Sequence, residues 1–170
     1  PQNNSNIDKH ISPNIAINQS TGDIYVSSIQ DAIGEEIIYV TADDGQSEIN
    51  STTTKNFLLK VNDVNDPPLF NLEIDTLVLQ EDFILADSIN IYPVFPLPLT
   101  EENQIINYDL IPLETDFVDI QLNIEEDKIY LSFIAILDSS GSQDFIIRAK
   151  DNGGIENTGI DTALVLFNLT

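Results

Sequence analysis

The chain of 170 residues contains no cysteine, methionine or tryptophan. Without cysteine, no disulfide can brace the fold and no thiol chemistry is available. Basic residues are scarce, because six Lys and Arg stand against 29 Asp and Glu, for a net charge of −23. Nucleic acids and anionic lipid surfaces are bound by clustered Lys and Arg, so this charge argues against both partners. No apolar run reaches the roughly 20 residues that a membrane span requires, and we expect no direct membrane insertion.

Histidine is represented by His10 alone, in an Asn-rich start of the chain. A structural or catalytic zinc centre needs several Cys or His ligands, and a Ser-His-Asp triad would depend on this one residue. Adjacent acidic pairs such as Glu125-Glu126 are expected by chance at this acidic density. A glycosidase, in contrast, needs two carboxylates that face each other across a sugar cleft. We therefore expect no enzymatic activity.

The chain does contain many short runs of β-branched and aromatic residues, separated by turn residues. Hydrophobic residues make up 42% of the sequence, so disorder is not expected despite the charge. No segment shows a long helical period, and many short alternating strands are typical of an antiparallel β-sandwich. We interpret the proline-rich segment 92–99 as an edge loop. The predicted strands are 14–18, 23–26, 37–42, 57–61, 77–79, 105–108, 118–122, 129–131, 145–149 and 163–167.

An internal repeat is visible. Residues 39–45 match residues 147–153 at a spacing of 108 positions. The same spacing relates Phe57, Leu59 and Val61 to Val165, Phe167 and Leu169. These apolar residues alternate along the chain, as residues on the core face of a strand should.

The repeat spacing divides the chain into part of a first repeat at 1–62, a linker at 63–68 and a second repeat at 69–170. By the same spacing, the first repeat lacks about 46 residues at its front. Half a sandwich cannot cover its own apolar face. We expect the chain to be a fragment of a longer protein. The alternative is that another chain supplies the missing strands by donor-strand complementation.

Two short motifs carry a family resemblance. Ala42-Asp43-Asp44-Gly45 is followed by the strand that starts at Phe57 and then by the linker 63–68, Asp-Val-Asn-Asp-Pro-Pro. This order resembles the end of a cadherin repeat and the bacterial cadherin-like repeats of large surface adhesins. The resemblance implies an all-β, antiparallel Greek-key sandwich of the Ig/cadherin type. It also implies an extracellular location on a bacterial cell surface and calcium at the linker.

The linker chemistry is consistent with calcium, which takes six to eight oxygen ligands. Asp63, Asn65 and Asp66 alternate along an extended backbone, which the two following prolines keep extended. The resemblance adds Asp31 with Glu35 or Glu36 from the first repeat, and Asp151 with Asn103 or Glu101 from the second. It favours one or two ions over a larger cluster. The alternative is that the linker residues and Asp151 form ordinary turns, because Asp and Asn bend the backbone well.

Three functions are compatible with these features. The leading one is a mechanical, calcium-stiffened module of a tandem-repeat adhesin, whose partners are calcium and further repeats of the same protein. A second is a self-assembling surface filament, in which a neighbouring subunit completes the first repeat. A third, a sugar-binding module, is disfavoured because Trp is absent and the five Tyr are scattered. The adhesive target cannot be named from the sequence.

Overall fold

The computed structural model describes residues 14–27, 29–47, 49, 51–84, 88–94 and 100–170, so His10 and residues 95–99 of the proposed edge loop lie outside it. The chain divides into two compact units, Pro1–Asp63 and Val64–Thr170. Within the described ranges, no helix combines the length and the apolar character needed to cross a membrane. The strands are β1 (Asn14–Ile17), β2 (Ile24–Ser27), β3 (Gly34–Asp43), β4 (Thr52–Val61), β5 (Phe70–Leu72), β6 (Thr76–Leu77), β7 (Ile89–Pro93), β8 (Asn107–Ile111), β9 (Val118–Glu125), β10 (Lys128–Ala135), β11 (Gln143–Lys150) and β12 (Thr162–Leu169).

The first unit contains two β-hairpins in its described part. Strands β1 and β2, both predicted from the sequence, pair antiparallel, and the N–H of Gly22 closes their turn on the carbonyl of Asn18 at 2.7 Å. Gly22 has a φ of 79°, which glycine adopts without steric cost. Strands β3 and β4 pair antiparallel over ten residues. Among the described residues of this unit, none is buried.

The β3–β4 register shows which face of β3 each residue of the repeat match occupies. Ile38 lies opposite Phe57, so the half-buried face of β3 carries Ile38 and Val40, whereas Tyr39 is 66% exposed on the other face. In the second unit Ile147, which the spacing of 108 positions matches to Tyr39, is fully buried. The two matched residues therefore differ in facing, because side chains alternate between the faces of a sheet.

A spacing of 107 positions for this segment restores the facing and relates Asp44 to Asp151. Both carboxylates make the same local turn. Asp44 Oδ1 accepts the N–H of Gln46 at 3.0 Å, and Asp151 Oδ1 accepts the N–H of Gly153 at 2.9 Å. Asp43, which the spacing of 108 positions relates to Asp151, makes the same bond to the N–H of Gly45 at 2.8 Å. The likeness of the two units thus extends to the loop that follows the inward strand.

The second unit is a β-sandwich of two four-stranded sheets, ordered β5–β7–β10–β9 and β6–β12–β11–β8. All neighbouring strands are antiparallel apart from β6 and β12, which run parallel. The chain changes sheet at every connection except the β9–β10 and β11–β12 hairpins. This strand connectivity is the Greek key of an Ig- or cadherin-like sandwich, so the predicted all-β fold is confirmed.

The core lies between the two sheets and follows the alternation of the strands. Phe145 and Phe167 lie opposite each other on β11 and β12, both are fully buried, and their ring centroids are 6.1 Å apart. Leu131 on β10 closes the core from the other sheet and is also fully buried. Each such side chain contributes about 1.5–3 kcal/mol by leaving water. The sandwich is therefore a rigid base for the loops at its two ends.

Some strand boundaries differ from the prediction. Strands β5 and β7 were missed, and Tyr92 and Pro93, interpreted as part of an edge loop, belong to β7 between β5 and β10. Pro93 is tolerated because it is the last residue of its strand, where little of the hydrogen-bonded ladder remains. Strand β6 covers only Thr76–Leu77, and β8 begins at Asn107 rather than at 105.

Candidate cation site

Three segments of the second unit meet at one end of the sandwich: 64–68, 100–106 and 151–160. They meet there because β8, β11 and β12 are antiparallel neighbours, so the start of β8, the end of β11 and the start of β12 lie side by side. Lys150 pairs with both Asn107 and Thr162 at this point. We call this the entry end of the unit.

Asn65 links all three segments. Its Nδ2 donates to Asp151 Oδ1 at 3.0 Å and to the carbonyl of Ile160 at 2.7 Å, while its Oδ1 accepts from Gln104 Nε2 at 2.7 Å. The backbone N–H of Ile160 also donates to the carbonyl of Asn65 at 2.9 Å. This residue is therefore fixed by hydrogen bonds on both its side chain and its main chain.

Two glycines make room for Asn65. A Cβ atom on Gly153 would overlap the Oδ1 atom of Asn65, and one on Gly159 would lie 3.0 Å from both its Cβ and its backbone nitrogen. Any larger residue at either position would force Asn65 to move, because contacts this short are repulsive. The two glycines thus leave a closely fitting space for the Asn65 side chain.

Two carboxylates are buried at the same end. Glu101 is 3% exposed and Asp151 is 4% exposed. Glu101 Oε1 accepts the backbone N–H of Asp66 at 2.7 Å, and Asp151 Oδ1 accepts from Asn65 and from the N–H of Gly153. Asp151 Oδ2 is buried and has no hydrogen-bond partner among the residues that the structure describes. Buried polar atoms are nearly always paired with protein, water or an ion, so this oxygen is the position in the cluster open to one of the latter two.

We call Asn65, Asp66, Glu101, Gln104 and Asp151 the polar cluster. Its carboxylate and amide oxygens are the ligand types that hard cations prefer, and it contains no nitrogen or sulfur ligand of the kind that transition metals select. The structure joins the predicted Asn65 and Asp151 by a hydrogen bond, whereas Asp66 enters the cluster through its backbone N–H and its side chain is exposed. The carboxylates of Asp66, Glu101 and Asp151 do not form a group whose ligand oxygens all lie within 4.8 Å of one another. The arrangement has no nucleophile–base pair of the kind used in covalent catalysis.

The nearest basic side chain along the chain is already paired. Lys150 Nζ lies 3.2 Å from Asp161 Oδ2, and the backbone N–H of Asp151 donates to the carbonyl of Asp161 at 3.0 Å. Hydrogen bonds from the Thr162 hydroxyl and then from Lys150 hold the pKa of Asp161 below its usual value. Lys150 therefore compensates Asp161, a carboxylate beside the polar cluster.

Asn103 and Glu101 were the alternatives for the ligand from the loop before β8. Asn103 is exposed in that loop, whereas the Glu101 carboxylate is buried in the polar cluster. The sequence left these two open, and the structure buries Glu101 and not Asn103. The burial of Glu101 was hard to predict, because Glu101 and Glu102 are identical neighbours and nothing in the sequence shows which of the two is buried.

The remaining predicted ligands belong to the first unit. Asp31 is exposed in the turn before β3, with a φ of 59°. Glu35 and Glu36 follow on β3 and point to opposite faces, and Glu35 is paired with Lys60 at 3.1 Å. Asp63 is exposed after β4 and ends the unit. Their participation in a calcium site stays a prediction.

A second acidic group was not predicted. Ligand oxygens of Glu81, Asp82 and Asp138 all lie within 4.8 Å of one another, and all three residues are exposed. In the described part of the chain, it is the one such group of three acidic, His or Cys residues. The backbone N–H of Asp138 donates to Asp82 Oδ1 at 3.0 Å. The partners are 56 positions apart, so only the fold shows that they meet.

Comparisons with known proteins give likenesses to solved structures alone. No protein-family model matches the chain, and no curated protein does. Among solved structures, it is similar to a structure of mouse clustered PcdhgC3 EC1-3, with 15% identity, a TM-score of 0.33 and coverage of 92% of this chain. The chain spans 50% of the length of that structure. The sandwich assignment therefore stands on the strand pairing described above.

Proposed function

We propose that the chain is a non-enzymatic structural or adhesive module of a large extracellular bacterial surface protein, and that calcium binds the polar cluster. The observation that supports this most is the buried Oδ2 atom of Asp151, which no protein donor reaches. Leaving a buried polar atom unpaired costs about 1–3 kcal/mol, and more when the group is charged. A bound cation would remove that cost.

Calcium fits the cluster better than magnesium. Calcium accepts irregular sets of six to eight oxygens, whereas magnesium demands a near-ideal octahedron and keeps several waters. The cluster offers the buried carboxylates of Glu101 and Asp151 and the amide side chains of Asn65 and Gln104. In the structure the Asn65 amide donates a hydrogen bond to Asp151. Rotation of that amide by half a turn would present its oxygen to a cation instead.

The proposal is tested by isothermal titration of the complete chain with calcium, first freed of metal by a chelator. We expect saturable binding with a Kd in the range of extracellular calcium modules, about 10⁻⁴–10⁻³ M. Asp151→Asn should weaken it more than tenfold. Asp127→Asn, which removes one exposed charge in the β9–β10 turn, is the matched control and should bind as the wild type does. Equal binding by the two variants, or no saturable binding, would contradict the proposal.

The same titration tests the predicted ligands of the first unit. We expect Glu36→Gln to reduce affinity and Glu35→Gln to change it little, because Glu35 already pairs with Lys60. Asp31→Asn and Asp63→Asn complete the series. If none of the four changes the affinity, the cluster of the second unit is sufficient and the first-unit ligands predicted from the sequence are wrong.

A filament subunit is the second candidate, and one observation favours it. In the described part of the first unit no residue is buried, although the half-buried face of the β3–β4 hairpin carries Ile38, Val40, Phe57, Leu59 and Val61. A strand from another chain would pair with a free edge of this hairpin and extend its apolar face. Sedimentation analysis over a hundredfold range of concentration decides the point, since a filament subunit must associate and a single-chain module must not.

A further inference from the structure

A small cavity lies at the opposite end of the second unit from the polar cluster. Its volume is about 180 Å³. It opens where β12 ends and where the chain leaves β6, beside the start of β9 and the end of β10. Strand β12 runs the length of the unit, so about 25 Å separate the two ends. The apolar side chains that line the cavity are Leu79, Phe83, Phe117, Val118, Ala135 and Leu169.

The size of the cavity sets the size of its occupant. An apolar cavity of about 150 Å³ is known to accommodate benzene. A ring with a short aliphatic chain therefore fits inside this one. Gly141 lies against the Phe117 ring, where a Cβ atom would meet Cδ1 of the ring at 2.6 Å. The cavity thus has a tightly packed wall on that side.

The mouth of the cavity is acidic. Glu81 and Asp82 belong to its lining, and Asp138 brings a third carboxylate within 4.8 Å of theirs. No residue of the described lining is basic. Three clustered carboxylates at the mouth of an apolar cavity attract a positive charge and orient it outward, while the apolar part of the same molecule is removed from water inside.

We propose that this cavity binds small organic cations with one apolar group, of the arylalkylammonium class. The apolar group occupies the cavity, and the ammonium lies at Glu81, Asp82 and Asp138. Such a ligand satisfies the apolar walls and the acidic mouth together, whereas a bare metal ion would use only the mouth. The site is independent of the calcium proposal, since it lies at the other end of the unit and uses none of the same residues.

The experiment uses the complete ¹⁵N-labelled chain in the presence of a chelator, titrated with phenethylammonium chloride and followed by amide chemical shifts. We expect saturable shifts at Leu79, Phe83, Phe117 and Leu169. The neutral analogue 2-phenylethanol should shift the same amides with an affinity at least threefold lower, because it lacks the charge.

Variants separate the two parts of the site. Glu81→Gln with Asp82→Asn should weaken the ammonium about two- to fivefold per carboxylate, the range of exposed ion pairs, and leave 2-phenylethanol unchanged. Gly141→Ala should weaken both ligands, because the added Cβ atom would displace the Phe117 ring, which belongs to the lining. Asp127→Asn controls for net charge and should change neither. The same spectra show whether each variant is folded.

Three outcomes would overturn the proposal. The lining amides could fail to shift with the ammonium. The ammonium could bind the Glu81→Gln, Asp82→Asn chain as tightly as the wild type. With the chelator omitted, calcium at low millimolar concentration could shift Glu81, Asp82 and Asp138 while the ammonium does not, which would make the acidic group a metal site instead.

Discussion

Replacing Asp151 by Asn should invert the order of stability between calcium-free and calcium-loaded conditions. The substitution keeps an acceptor at the Oδ1 position, so the hydrogen bonds from Asn65 and Gly153 can be retained. It removes one buried negative charge from a chain with a net charge of −23. In chelator, the variant should therefore be at least as stable as the wild type, because burying an ion costs more than burying an amide.

Calcium reverses that order. A ligand at one hundred times its Kd stabilises the folded state by about 2.7 kcal/mol. For a domain of about 100 residues, each kcal/mol raises Tm by at least about 4 °C, so the wild type should gain roughly 10 °C. If the variant binds about thirtyfold more weakly, the same calcium concentration adds about 0.9 kcal/mol, or roughly 3–4 °C.

Differential scanning calorimetry measures both conditions, and a core variant assigns the transition. Phe145 is fully buried in the second unit, so Phe145→Ala should cost about 3–5 kcal/mol and lower only the transition of that unit. The Tm shifts given above refer to the transition of the second unit. If calcium raises Tm equally in the wild type and in Asp151→Asn, Asp151 does not bind the ion. If the variant is several degrees less stable in chelator, Asp151 acts as a structural turn residue.

Three further predictions concern single groups. Tyr108→Phe should leave the stability unchanged or raise Tm, because the hydroxyl of Tyr108 is buried without a partner and burial raises its pKa; a fall in Tm measured by circular dichroism would contradict this. The backbone N–H and then the side chain of Asn90 hold the pKa of Glu73 below 4.5, so Glu73 stabilises the fold fully above pH 4.5 and less as pH falls through its folded pKa. The Tm advantage of the wild type over Glu73→Gln should accordingly be largest near pH 6 and shrink below pH 4.5, and a pH-independent difference would refute it. Gly153→Ala should displace the Asn65 side chain and reduce the calcium affinity measured by isothermal titration. An unchanged affinity would show that the position of Asn65 does not matter for binding.

The sequence predicted the longer strands well, for a simple reason. Residues of β9 to β12 alternate between the buried and solvent faces over eight positions each, which gives a clear period of two. Strand β5 has three residues, and β7 ends in Pro93, next to the proline-rich segment. Short length and nearby prolines weaken the alternation of apolar and polar residues, so these two strands were missed.

The polar cluster was predictable only in part. Asn65 and Asp151 were named from the resemblance, and they are joined by a hydrogen bond. The burial of Glu101 depends on how the loop before β8 turns, which no local pattern fixes. The meeting of Asp82 with Asp138 depends on the lengths of the strands between them. The spacing of 108 positions matches residues of opposite facing in β3 and β11, because apolar residues occupy both faces of β3.

The parallel pairing of β6 with β12 bears on how the second unit responds to force. The carbonyl of Asp75 accepts from Asn168, that of Leu77 from Thr170, and that of Thr170 from Leu79, at 2.8–3.0 Å. Because the strands are parallel, tension applied before β6 and after β12 slides one strand along the other. These hydrogen bonds then share the load in shear and break together, instead of opening one at a time as in a pulled hairpin. A chain that works under tension gains resistance from this pair without needing a long strand.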